Sequence, residues 1–120
     1  MKTLKVGIAS LDQYRARTME IARGKYVPGR NEPKVWFDSL GTLSQVLSDQ
    51  NRKLLKLILE TQPGSLQELA ERSGRAPSNL SRTLKTMERY GLVRFERGEN
   101  RRMAPRVNYS GVELELRFGG

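Results

Sequence analysis

Between Arg72 and Arg106 the chain carries ten basic residues, at positions 72, 75, 82, 85, 89, 94, 97, 101, 102 and 106, against only Glu88, Glu96 and Glu99. Interleaved with them are Ser78, Asn79, Ser81 and Thr86, short polar side chains that both donate and accept hydrogen bonds. Cations at this density neutralise phosphate, and forked polar groups read the edges of bases. Arg82 can place two donors on guanine O6 and N7, and Asn79 can bridge adenine N6 and N7. Ser78, Asn79 and Arg82 are therefore the candidate base-reading residues. Arg75 and Lys85 are candidate phosphate contacts, and Ser81 and Thr86 serve either as phosphate ligands or as degenerate base contacts. Arg89 has two roles open to it, a phosphate contact or a cation complementing a helix C-terminus. Arg97, Arg101 and Arg102 form a cluster suited to tracking a nucleic-acid backbone or entering a minor groove.

These roles depend on which faces the residues occupy. Leu80, Leu84 and Met87 fall on one face of a helix by the i, i+4, i+7 rule, which puts Ser78, Arg82, Lys85 and Arg89 on the opposite face. Pro77 suits the first position of that helix and Gly91 its left-handed end, with Leu92 packing back. Upstream, SLQELAERSG has a capping box from Ser65 and Glu68, buries Leu66, Leu69 and Ala70, and stops at Gly74. Two short helices meeting at such a turn predict a helix-turn-helix. Downstream, LVRFER alternates Val93 and Phe95 against Arg94 and Glu96, and a second alternating run holds Val107 and Tyr109. The prediction is a hairpin, a wing, with Arg97, Arg101 and Arg102 at its tip.

Further back, SDQNRKLLKLILETQPG predicts a helix capped by Ser48 and stopped by Pro63-Gly64. Leu54, Leu55, Leu57, Ile58 and Leu59 cover more than half of its circumference, so burial on two sides is expected. VWF favours a short strand, followed by a helix capped by Asp38 or Ser39. Trp36 and Phe37 are assigned to packing rather than to stacking on bases. At the start, Leu4, Val6 and Ile8 alternate against Thr3, Lys5 and Gly7 as in a strand. Ser10 and Gln13 then form a capping box for a helix ending near Gly24, whose apolar face of Leu11, Tyr14, Thr18, Ile21 and Ala22 is thin. GKYVPGRNEP reads as a linker. The resulting division is residues 1–30 as a strand-helix arm for dimerisation or partner binding, and residues 31–120 as a nucleic-acid-binding domain. VELELRF is a further dimer-interface candidate, because its alternation can complete a sheet with KTLKVGI.

The chain has 120 residues, a formal net charge of +9, no Cys and no His. Thiolate and imidazole metal sites, Cys nucleophiles and Ser-His-Asp triads are thereby excluded. The 13 acidic residues are scattered, with no pair in an apolar setting that would raise a pKa. The expectation is a protein that is no enzyme and uses neither cofactor nor metal. The longest nearly apolar run, LLKLIL, is far below a membrane span, and no signal peptide is evident, so a cytoplasmic location without membrane partners is expected.

SLQELAERSGRAPSNLSRTLKTMERYGLV resembles the helix-turn-helix core of MarR-like winged-helix regulators, in its S-x-x-E-L-A helix, small-residue turn, S-R-x-L recognition helix and terminal G-L-V. VWFDSLGTLSQVLSDQNRKLLKLI and VNYSGVELEL are similar to a group of small single-domain predicted MarR-like DNA-binding proteins of bacteria and archaea, some encoded beside a toxin. The resemblance spans about Pro33 to Leu116. It implies an α+β winged helix-turn-helix with a short N-terminal strand-helix extension, acting as a sequence-specific, double-stranded DNA-binding transcriptional repressor and homodimer. Two other readings stay open: an antitoxin that binds a co-encoded toxin and autoregulates its operon, and an RNA-binding winged helix. The long flanking dimerisation helices of larger MarR proteins are missing, so their dimer architecture and ligand pocket are not implied.

Overall fold

The short apolar alternations and serine-led helical runs of this chain become, in a computed structural model, five strands and five helices among the described residues, in an α+β arrangement. The structure describes residues 1–25, 27, 32–98 and 102–118. These residues form two units, one made of Val46–Ser110 with Met1, the other of residues 2–45 and 111–120. The expected break at residue 30 falls inside the second unit, because the N-terminal strand pairs with residues 35–37 and with residues 111–115. No helix among the described residues is long and apolar enough to cross a membrane.

The second unit is built on a three-stranded sheet. β1 (Thr3–Ile8) lies at the centre, with β2 (Val35–Phe37) on one side and β5 (Gly111–Glu115) on the other, both parallel to it. Parallel neighbours in register share a face. Leu4 and Val6 lie beside Val112 and Leu114, and Ile8 beside Phe37. Leu4, Val6 and Phe37 are fully buried. The other face carries Lys5, Gly7, Trp36 and Glu115. Gly7 is required there, since a Cβ would stand 2.6 Å from Trp36 Cζ3. α1 (Leu11–Ala22) follows β1, with the reciprocal Ser10–Gln13 capping box present as expected. None of its residues is buried. Arg17 nonetheless reaches over the Trp36 ring, 5.2 Å from its centroid, and pairs with Glu32 at 2.8 Å. Trp36 and Phe37 are thus packing residues. α2 (Leu40–Val46) begins at Ser39, whose Oγ accepts the Thr42 N–H.

In the first unit, α3 (Asp49–Thr61) starts on Ser48, whose Oγ accepts the Asn51 N–H. It packs against the hairpin strand β4 (Met103–Val107) and against α4 (Leu66–Ser73). Burial on two sides is only partial: Leu54 and Ile58 are fully buried, while Leu55, Leu57 and Leu59 are half-buried. The helix ends at Gln62, the one non-glycine described residue with positive φ, at 45°. Ser65 caps α4 through the Glu68 N–H at 3.1 Å. The return half of the box departs from expectation, because the Glu68 carboxylate takes the N–H of Gly64 instead of that of Ser65.

α5 (Pro77–Arg89) follows after a three-residue turn in which Gly74 has φ 73°. Leu80, Leu84 and Met87 are completely buried. Each such burial contributes roughly 1.5–3 kcal/mol, which fixes the helix's rotation about its axis. The exit turn closes with Gly91 at φ 75° and the Leu92 N–H bonded to the Met87 carbonyl. Asn108 clamps this turn from the far strand, its side-chain amide donating to the Gly91 carbonyl at 2.9 Å. β3 (Val93–Arg97) pairs antiparallel with β4, Val93 opposite Val107 and Arg97 opposite Met103. Pro105 is tolerated because β4 is paired on one edge only among the described residues. Tyr109 lies just beyond β4 rather than within it.

Candidate nucleic-acid interface

The buried seam of α5 leaves its opposite side to solvent, and there Ser78, Asn79, Arg82, Lys85 and Arg89 are all exposed. Ser81 and Thr86 are half-buried at the margins. The Thr86 hydroxyl is already engaged, donating to the Arg82 carbonyl at 3.2 Å and accepting from Arg89 Nη2 at 3.3 Å. Arg89 is thereby held along the last turn of the helix, where it complements the helix dipole.

Helix starts differ in one respect. α1, α2, α3 and α4 each begin on a serine whose Oγ accepts a backbone N–H. α5 begins on Ala76, which supplies no side-chain cap. Its first-turn N–H groups at Ser78 and Asn79, on the exposed side of the turn, have no side-chain acceptor at the cap. Such an end, at the positive pole of the helix dipole, is suited to an anion. The N-cap residue already has extended geometry, with φ −64° and ψ 140°.

The hairpin stands beside α5. Ser81, Lys85 and Glu88 of the helix, with Phe95, Arg102 and Met103 of the hairpin, line one cleft of about 610 Å³. Ser65, Leu66 and Gln67 at the start of α4 complete its lining, so it joins three sets of residues distant in sequence, Lys85 and Arg102 among them. Phe95 and Met103 are not among the candidate site residues of the sequence. The alternation placed Phe95 on the inner face of the hairpin, whereas Met103 is 48% exposed and carried no periodic signal. Arg97 and Arg102 are exposed, while Arg101 lies outside the described residues.

The nine described cations of this stretch divide into two classes. Arg72 pairs with Glu68 at 3.2 Å, and Arg94 with Glu96 at 2.7 Å. Arg94 also donates to Asn108, and Arg106 donates to the Pro63 carbonyl and faces Glu96 at 3.8 Å. Arg75 donates to Asn51 Oδ1 at 3.0 Å, tying the α4–α5 turn to the first turn of α3. This candidate phosphate contact thus also holds the helices in place. By contrast, Arg82, Lys85, Arg89, Arg97 and Arg102 have no carboxylate partner among the described residues. They lie on the outward side of α5 and along the hairpin.

Glu68 anchors the framework beneath. Its carboxyl is held below the usual carboxylate range, chiefly by the Gly64 N–H, then by the hydrogen bond from Arg72, with the charges of Arg72 and Arg106 adding to the effect against slight desolvation. Close packing continues at Gly98, where a Cβ would stand 2.9 Å from the Gly64 carbonyl oxygen. The tip end of the hairpin, just past Arg97, therefore approaches the turn that precedes α4.

No curated protein and no solved structure matches this chain. A family model described as HVO_A0114 matches residues 46–114, which take in all of α3, α4, α5 and the hairpin. That match spans more than half of the chain, and the protein therefore belongs to the HVO_A0114 family.

Proposed function

We propose that α3, α4, α5 and the β3–β4 hairpin form a MarR-like winged helix-turn-helix, and that the protein is a double-stranded DNA-binding transcriptional repressor acting as a homodimer. The observation that carries this reading is the division of the cations. Arg72, Arg75, Arg94 and Arg106 are tied to carboxylate, amide or carbonyl oxygens, whereas Arg82, Lys85 and Arg89 on the outer side of α5 and Arg97 and Arg102 towards the hairpin tip lack carboxylate partners among the described residues. Self-repulsion on such a surface is relieved by a polyanion. The uncapped start of α5 adds backbone donors suited to a phosphate, as at the leading end of a recognition helix.

In this reading α5 enters the major groove, with Ser78, Asn79 and Arg82 at base edges. Lys85, Arg89, Arg97 and Arg102 contact phosphates, and the cleft among the start of α4, α5 and the hairpin lies beside one strand of the duplex. Arg82→Ala tests it. The side chain is exposed and has no partner among the described residues, so the fold should be unaffected. Loss of a bidentate base contact costs about 1–3 kcal/mol on the preferred site and much less on random DNA. Binding of a selected duplex, a random duplex and tRNA is measured across a salt series. Equal losses on specific and random duplexes would reduce Arg82 to a phosphate contact, and preference for tRNA would favour the RNA reading.

A further inference from the structure

The sheet of the second unit has two outer edges, and they are protected unequally. β2 is three residues long and preceded by Pro33, two devices that blunt an edge against pairing. β5 is five residues long, contains neither Pro nor Lys, and pairs only through its inner edge among the described residues. The segment continues past the end of its pairing with β1 as Leu116, Arg117 and Phe118. Leu114, Leu116 and Phe118 are 42%, 49% and 97% exposed, although Leu114 extends the layer in which Leu4 and Val6 are fully buried.

We infer that this edge is the homodimer interface, closed by antiparallel pairing of residues 114–118 with the same segment of a second copy about a two-fold axis at Leu116. The register follows from the side chains. Centring on Leu116 places Leu114 opposite the partner's Phe118, Leu116 opposite itself, and Glu115 opposite the partner's Arg117. Residues directly opposite share a face, so the three apolar positions form one strip and the opposite charges meet on the other. Centring on Leu114 would instead set Glu113 against Glu115, a like-charge pair. Glu113 is in any case occupied within its own chain, accepting the Thr3 hydroxyl at 3.1 Å. Arg117 and Glu115 of one chain lie 3.4 Å apart on an exposed edge, so they are already on the side where exchange between copies takes place. Two sheets joined in this way cover the Leu114–Glu115 end of the unprotected edge and the apolar residues that follow it.

This inference supplies the interface for the dimer proposed above, and its test contains no DNA, so its failure and that of the DNA reading are distinguishable. Sedimentation velocity of the full chain should show a dimer. Glu115→Arg and Arg117→Glu should each be monomeric when alone, since each sets like charges against each other twice across the axis. Mixed in equal amounts they should recover the dimer, because both cross-pairs are then complementary, whereas effects within one chain cannot be rescued by mixing. The protein has no cysteine, so Leu116→Cys should form a single disulfide-linked dimer on mild oxidation, the two Cα atoms lying within bridging distance at the centre of such a pair. A parent chain that is monomeric up to its solubility limit, single variants that stay dimeric, or a mixture that stays monomeric would each overturn the proposal.

Discussion

Replacing Ala76 by Asp should make the protein more stable and a poorer DNA binder. Ala76 is exposed and already in the extended conformation of an N-cap residue, so a carboxylate there meets no obstacle in accepting an N–H from the first turn of α5. The gain of such a cap over Ala is about 0.5–2 kcal/mol, with a further favourable contribution from an anion at the positive end of the helix. For a cooperative unit of roughly 60–100 residues, 1 kcal/mol raises Tm by about 4–8 °C. Binding should move the other way, because the donors proposed for a phosphate are then occupied and a negative charge stands in its place. Loss of one charge-assisted hydrogen bond, about 1.5–3 kcal/mol, corresponds to roughly ten- to 150-fold in affinity. Ala76→Ser serves as the neutral control, with a similar cap and no added charge, and should weaken binding less. Thermal unfolding by circular dichroism and anisotropy of a labelled duplex read the two effects on the same samples. An unchanged Tm would refute the capping argument. A raised Tm with unchanged affinity would refute the placement of the α5 N-terminus against phosphate.

Replacing Arg101 and Arg102 together by Ala should weaken binding to all duplexes alike and reduce the salt slope by about one to two, as expected for lost phosphate contacts; equal slopes would argue against a role for the hairpin. Gly7→Ala should displace the Trp36 ring, which a Cβ would meet at 2.6 Å, and destabilise the sheet unit by about 1–3 kcal/mol. Trp36 is the only tryptophan, so a shift in its emission reports the displacement directly, and an unaltered spectrum with parental urea stability would contradict the packing. Glu68 has a lowered folded-state pKa, so its contribution to stability is complete above the unfolded value and is lost as pH falls through the folded value. Glu68→Gln should therefore flatten the acid side of the Tm–pH profile, and a parallel profile would show that the Gly64 and Arg72 contacts carry no linkage.

The winged-helix candidate was legible in the sequence because its determinants are local. Burial of Leu80, Leu84 and Met87, the turns at Gly74 and Gly91, the serine caps of four helices and the alternation of the hairpin all follow from spacings of a few residues. The exposed face with Arg82 and Lys85 follows from the same periodicity, since a helix that buries one stripe must present the other. The alternation of KTLKVGI and VELELRF likewise marked two strands that can join. Other features depend on partners distant along the chain. Pairing counts alone do not say that β1 is the middle strand, that both neighbours run parallel to it, or that Gly7 makes room for Trp36. Nor does charge counting separate Arg75, bonded to Asn51 from 24 positions away, or Arg106, bonded to Pro63 from 43, from cations that remain without carboxylate partners. The sequence by itself determined the elements, their faces and the sign of the surface, because these are short-range consequences of side-chain type and backbone period. Tertiary structure alone decided that Arg75 and Arg106 are spent on partners distant in sequence, because such hydrogen bonds form only where folding brings donor and acceptor within about 3 Å.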